Sequence, residues 1–124
     1  MIDHVSIGVR DFARARAFYD AVFAALGAKA HHAGDGYAGY GREAPVYWVQ
    51  VADRPVPADM GSGLHFCFAA GTRAQVDAFH KAGLAQGGAD NGAPGLRPEY
   101  GPDYYAAFVI DPDGYRIEAH THAQ

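Results

Sequence analysis

The sequence has a single cysteine, no excess of basic residues and no long hydrophobic run. Cys67 stands alone among 124 residues, so an internal disulfide is excluded. The chain has ten Lys and Arg residues and fourteen Asp and Glu residues, which gives a net charge of −4, whereas nucleic-acid-binding proteins usually carry a basic excess. No apolar run approaches the roughly 20 residues that a membrane-spanning helix needs. We therefore expect one soluble, cytoplasmic domain without nucleic-acid or membrane partners.

Histidine and glycine, in contrast, are abundant, with 7 and 16 residues, and the chain contains an internal repeat. His4 and His65 each begin a short apolar segment, and the same offset of 61 residues continues downstream, where Phe18 matches Phe79. The offset is about half the chain. A repeat of this length predicts two similar modules in tandem.

Each module has the same predicted order of elements. An alternating segment predicts a strand, Asp11 or Thr72 then caps a helix, and three further strand-like segments follow. The Asp-Pro-Asp-Gly sequence of residues 111–114 predicts the turn of a final hairpin. We therefore predict an α+β fold with two βαβββ modules, residues 1–55 and 61–124, in a single domain of residues 1–124.

Three residues could together bind a divalent metal. His4 and His65 occupy equivalent places at the first strand of each module, and Glu118 shares one face of the last predicted strand with His120. Two imidazoles and a carboxylate can hold Fe, Mn, Ni or Zn while leaving positions open for substrate or water. Each residue alone also suits an ordinary polar sheet surface, so the hypothesis depends on all three.

The chain resembles the vicinal oxygen chelate superfamily, which includes glyoxalase I, extradiol dioxygenases, fosfomycin-resistance enzymes and bleomycin-binding proteins. The resemblance covers the whole chain, from residues 2–7 to the more specific Asp-Pro-Asp-Gly-Tyr-Arg-Ile-Glu of residues 111–118. It implies paired modules forming an open, cup-shaped mixed sheet with helices outside, around a divalent metal ion. It also implies metal ligands at His4, His65 and Glu118, and a homodimer.

Aromatic residues suggest the kind of ligand that such a cup would take. Residues 87–103, rich in Gly and Pro, predict an irregular, partly strand-like loop that is closed by several tyrosines. Tyr104 and Tyr105 are candidate catalytic proton carriers with Glu118, although plain packing in a sheet would also account for them. The candidate substrate-binding residues are Ser6, Trp48, Arg97 and Tyr100.

Three functions remain open. The first is a dioxygenase, lyase or isomerase acting on a small oxygenated or aromatic substrate chelated to the metal. The second is a binding protein that sequesters a small molecule without chemistry, as bleomycin-binding relatives do. The third is a fosfomycin-type resistance transferase, since such enzymes carry a hydroxyl residue and a Trp at the positions of Ser6 and Trp48. Those enzymes also have a basic loop before the last hairpin, whereas residues 97–103 of this chain contain one Arg and no Lys.

The residue at position 48 is evidence that this chain does not have glyoxalase I activity. That enzyme has a fourth metal ligand on the last strand of the first module, and by analogy with Glu118 the position falls on Trp48 or, less well, on Gln50. An indole does not bind a metal ion. We therefore expect no isomerisation of the methylglyoxal–glutathione adduct.

Overall fold

The two modules fold as two four-stranded sheets, each accompanied by one long helix. In the computed structural model, which describes residues 1–124, the first module consists of β1 (Val5–Val9), α1 (Phe12–Ala25), β2 (Lys29–Gly34), β3 (Tyr37–Gly41) and β4 (Tyr47–Val51). The second consists of β5 (His65–Ala69), α2 (Arg73–Ala85), β6 (Ala89–Leu96), a 3-10 helix (Pro98–Tyr100), β7 (Tyr105–Ile110) and β8 (Arg116–Thr121). The predicted α+β fold of two tandem βαβββ modules is confirmed. Neither helix has the length and hydropathy needed to cross a membrane.

The two sheets have the same topology, and the first strand of each pairs with its neighbour in the same register. Their strand orders are β1-β4-β3-β2 and β5-β8-β7-β6, and in each the first strand runs parallel to its neighbour. Ser6 lies opposite Trp48 in the first sheet, as Cys67 lies opposite Glu118 in the second. Trp48 is therefore the structural counterpart of Glu118. Because no strand of one sheet pairs with the other sheet, β1 and β5 are both edge strands.

Both helices begin at the capping residues that the sequence predicts. The side chain of Asp11 accepts a hydrogen bond from the backbone N–H of Arg14, and that of Thr72 accepts one from Gln75. These bonds satisfy backbone donors that a helix start leaves free. Just beyond α1, Gly27 has a φ of 74°, a left-handed conformation that glycine adopts without strain.

The two modules share one hydrophobic core. Helices α1 and α2 pack against each other, and the inner faces of both sheets contribute to the same cluster of buried side chains. Phe68 of β5 contacts Phe23 of α1 and Tyr47 of β4, with ring centroids 4.9 and 5.1 Å apart. Because the inner face of each sheet is used in this way, its outer face is turned away from the core and is free to carry a site.

The turn between β7 and β8 attaches the second module to the first through buried polar groups. Asp111 Oδ1 accepts hydrogen bonds from the backbone N–H groups of Asp113 and Tyr115, at 2.9 and 2.8 Å. The Tyr19 hydroxyl of α1 donates to the other carboxylate oxygen, and the Tyr115 hydroxyl donates to the carbonyl of Gly8 at 2.6 Å. Burial raises the pKa of Asp111 to about 6. The turn is thus held in place by groups from both modules.

Candidate functional site

The polar side chains of β8 that could carry chemistry point to the outer face of the second sheet. Ile117 and Ala119 are fully buried in the core. Arg116, Glu118 and His120 alternate with them and therefore lie on the opposite face. The pairing of Glu118 and His120 on one face follows the sequence prediction.

Glu118 is the centre of the arrangement. His65 Nε2 lies 3.1 Å from Glu118 Oε1, and the Tyr104 hydroxyl donates to Glu118 Oε2 at 2.6 Å. The glutamate is only 4% exposed. Burial raises the pKa of Tyr104, and its hydrogen bond to Glu118 raises it further, so the phenol remains protonated and continues to donate at neutral pH.

Cys67 lies beside this group on β5, opposite Glu118 in the strand register. Burial raises the pKa of its thiol to about 12, and the nearby Glu118 carboxylate contributes to the rise. Because the thiolate is the reactive form of cysteine, this raised pKa disfavours a nucleophilic role for Cys67 at neutral pH.

A cavity of about 470 Å³ opens above the His65–Glu118 pair. A volume of this size is typical of pockets that bind small molecules. Three of the residues lining it are aromatic, and one carries a positive charge. Besides the His65–Glu118 pair, the lining residues are Asn91, Tyr100, Tyr104, Phe108 and Arg116.

A stack of rings fixes the position of Tyr104. The His120 ring lies parallel to the Tyr104 ring with centroids 4.3 Å apart. Tyr100 and His122 both meet the Tyr104 ring edge-on, at 5.3 and 5.6 Å. Such contacts stabilise one orientation of the ring, and this orientation directs the hydroxyl at Glu118.

Sequence reasoning missed three residues of the cavity. Phe108 lies opposite Glu118 on β7 and Arg116 lies opposite His65. Counting two residues back from Glu118 along its strand identifies Arg116 as a neighbour on the same face, so a signal for it was present. Asn91 lies where the β6–β7 register shifts, and nothing in the sequence pattern indicates its place.

Tyr105, the second predicted proton carrier, lies away from the cavity. Its hydroxyl donates to Asp77 Oδ1 on α2 at 2.6 Å, and its ring packs against the hydrophobic core. Adjacent residues of an extended chain point to opposite sides. Of the two tyrosines, only Tyr104 therefore meets Glu118.

Arg97, a predicted substrate-binding residue, is also engaged elsewhere. Its guanidinium donates to the carbonyls of Gly95 and Ala93 at 2.8 and 2.7 Å and lies 5.3 Å from the centre of the Phe108 ring. It is not among the residues that line the cavity. In this structure, Arg97 supports the wall behind Phe108.

The predicted residues of the first module lie on the first sheet. His4 directly precedes β1 and its Nδ1 lies 2.6 Å from Asp3 Oδ1, and Ser6 lines a separate cavity of about 280 Å³. The Trp48 ring lies parallel to that of His32, with centroids 6.0 Å apart. Within one copy of the chain, no three His, Cys, Asp or Glu side chains come together in a group that could hold a metal ion. His4 therefore does not join the His65–Glu118 pair in the same copy.

The sequence and the fold match known proteins along nearly their whole length. One family model, described as the Glyoxalase/Bleomycin resistance protein/Dioxygenase superfamily, matches residues 1–119. The crystal structure of a glyoxalase/bleomycin resistance protein from Albidiferax ferrireducens is 36% identical, with a TM-score of 0.81 over 95% of this chain and 96% of that one. No curated protein matches the sequence.

Two more distant structures share the fold. A glyoxalase-related enzyme from Fulvimarina pelagi is 18% identical, with a TM-score of 0.73 over 97% of this chain and 86% of that one. A fosfomycin resistance protein from Listeria monocytogenes is 16% identical, with a TM-score of 0.71 over 97% and 91%. At these identities the likeness concerns architecture and carries no activity over to this chain.

Proposed function

Because this chain belongs to the glyoxalase/bleomycin resistance protein/dioxygenase superfamily, we propose that it is a metal-dependent enzyme acting on a small oxygenated or aromatic molecule. The observation that carries the proposal is the His65–Glu118 pair, 3.1 Å apart, in a cavity of about 470 Å³ with aromatic walls. Imidazole and carboxylate are donors that Fe, Mn, Ni and Zn all accept.

Two of the three proposed metal ligands already converge in one copy. Glu118 is buried and His65 is partly exposed at the cavity, so both donors face the space that a substrate would enter. When bound, the metal would supply Lewis-acid polarisation of substrate oxygens or activation of bound O₂. The donor set fits such an ion, although the third ligand must come from elsewhere.

We assign the third ligand to His4 of a second copy, so that a homodimer shares the site. In one chain the outer faces of the two sheets are both turned away from the shared core, and β1 and β5 each have one edge without a neighbouring strand. Exposed edges of this kind are usually covered by another chain or element. Association through these edges would bring the start of β1 in one copy near β5 in the other.

The residues of this chain would then bind and orient the substrate and move a proton. Phe108 and Tyr100 offer flat apolar surfaces to an aromatic ring. The Tyr104 hydroxyl already donates a hydrogen bond to Glu118 Oε2 at 2.6 Å, so this pair can hold a proton beside the reacting atoms. The proposed reaction class is that of a dioxygenase, lyase or isomerase.

Metal binding is the property that tests this proposal. Protein treated with chelator should melt at a higher temperature when Mn(II), Fe(II), Ni(II) or Zn(II) is added, because a ligand at a hundredfold excess over its Kd stabilises the folded state by about 2.7 kcal/mol. H65A should abolish the rise. As a matched control, H80A removes an imidazole that pairs with Asp90 outside the cavity and should respond like the wild type. An equal rise in H65A and the wild type would contradict the proposal.

A binding protein without chemistry is the second candidate. The observation that favours it is that both carboxylate oxygens of Glu118 already have partners within the chain, His65 and Tyr104. Such a protein would bind small aromatic molecules with no change in its melting temperature on addition of metal. A fosfomycin-type transferase receives less support, because such an enzyme needs a basic loop. Arg97 is instead held by carbonyl groups, and Arg116 is the one Lys or Arg residue that lines the cavity.

A further inference from the structure

Arg116 brings a guanidinium group without an anionic partner into the wall of the cavity. Its side chain is half-buried, and Nε donates to the carbonyl of Leu64 at 3.2 Å. No carboxylate of the chain lies within ion-pair distance of it. Glu118, the acidic residue of the same cavity, is instead engaged by His65 and Tyr104.

Such a group has unused capacity for binding. A guanidinium carries five N–H donors in a planar fork, and only the Nε–H of Arg116 has an acceptor within the chain. Fully buried charges are normally paired, whereas the half-buried Arg116 keeps its remaining N–H groups available to a ligand. The fork matches the geometry of a carboxylate, which can accept two parallel hydrogen bonds from it.

The surroundings of Arg116 indicate the shape of the molecule that would carry this carboxylate. Arg116 lies opposite His65 in the register of β5 and β8, and Phe108 and Tyr100 form flat apolar walls of the same cavity. Neighbouring strands are about 4.8 Å apart. A single ring can therefore lie against Phe108 with one substituent at Arg116 and another beside His65.

We propose that Arg116 binds the carboxylate of the substrate, so that the cavity selects flat aromatic acids over neutral molecules of the same shape. The inference deepens the function proposed above by naming the substrate class, and it rests on the same cavity. It makes Arg116 a substrate-binding residue. Its hydrogen bond to Leu64 would then orient the group from behind.

Binding to metal-free protein tests the inference independently of metal chemistry. Benzoate and benzamide have the same ring and nearly the same shape, but only benzoate is anionic. By calorimetric titration, benzoate should bind about tenfold or more tightly than benzamide, as expected for hydrogen bonds to a charged group. R116Q should remove this preference by weakening benzoate binding and leaving benzamide binding nearly unchanged. R116K keeps the charge without the planar fork, so it should retain a reduced preference for benzoate.

K81Q provides the matched control, because it removes one positive charge from an exposed position on α2. It should bind both compounds like the wild type, and the melting temperature of each variant reports whether it folds.

Equal affinity of the wild type for benzoate and benzamide, or binding of neither, would overturn the inference. So would an R116Q variant that keeps the preference, or tighter binding of phenylphosphonate than of benzoate. If R116Q does not fold, the affinities of the wild type and of R116K for benzoate and benzamide still test the inference. Since metal binding is measured separately with H65A, failure here and failure of the metal proposal are distinguishable.

Discussion

Replacing Asp111 by asparagine removes a buried acidic group that joins the β7–β8 turn to helix α1. Asparagine has the same shape, and its Oδ1 can still accept the two backbone hydrogen bonds from Asp113 and Tyr115. The side-chain amide would meet the Tyr19 hydroxyl in place of the second carboxylate oxygen. The substitution therefore removes the ionisation of residue 111 while keeping most of its contacts.

The magnitude follows from the pKa of Asp111. Burial raises it from 3.8 to about 6 in the folded protein, so the folded state holds this proton more tightly than the unfolded state. Stability from this group is therefore greatest at acidic pH and is lost as the pH rises from about 4 to about 6. A shift of about two units corresponds to about 3 kcal/mol, at 1.36 kcal/mol per unit.

Urea denaturation of the wild type and D111N, followed by circular dichroism between pH 4 and pH 7, measures this effect. The wild type should lose about 2.4 kcal/mol of unfolding free energy relative to D111N as the pH rises across this range, since pH 4 already lies slightly above the ordinary pKa of 3.8. D35N, at an exposed turn position, should follow the wild type. Curves for the wild type and D111N that stay parallel, or a wild type that gains relative stability towards neutral pH, would refute the reasoning. Protein concentration must be held constant, because association also changes apparent stability.

Three further predictions concern the assembly, the core and the reaction. Sedimentation at tens of micromolar protein should show a species of twice 13.2 kDa, and a monomer alone would contradict the shared site. F79A truncates a fully buried ring between α2 and Phe68 and should cost about 3–5 kcal/mol of unfolding free energy in urea; a loss far smaller than this would contradict the described core. No divalent metal should support isomerisation of the methylglyoxal–glutathione adduct, because Trp48 occupies the position of that enzyme's fourth metal ligand; turnover of about 1–10³ per second would disprove this.

The fold could be predicted in detail because local signals and the repeat agree. Asp11 and Thr72 cap their helices as their residue types indicate. The repeat also reappears in the sheets, where Ser6 lies opposite Trp48 as Cys67, 61 residues later, lies opposite Glu118. The segment of residues 87–103 was harder to interpret. Residues 89–96 form β6, an edge strand whose register shifts twice. Pro94 is tolerated at such an edge, but in sequence it resembles a loop.

The candidate site was predictable where the strand period applies and unpredictable where it does not. The two-residue period of a strand places Glu118 and His120 on one face of β8, and it also predicts that Arg116 lies on that face. Tyr104 lies just before β7, so the alternation of the strand does not by itself assign its direction. Tyr105 shares the inner face of β7 with Ala107 and Val109, and its hydroxyl turns to α2, whereas that of Tyr104 turns to Glu118.

The separation of His4 from His65 has a cause that no pattern within one module can reveal. Each module buries one face of its sheet, and the repeat predicts equivalent positions for the two imidazoles without saying which sheet faces which. The shared core decides this, because Phe68 of β5 packs onto Tyr47 of β4 and Phe23 of α1. Once the inner faces meet in this way, the outer faces diverge, and two equivalent histidines can share one metal ion only across two copies. We therefore expect the two equivalent histidines of the repeat to bind one metal ion together at the interface of a dimer.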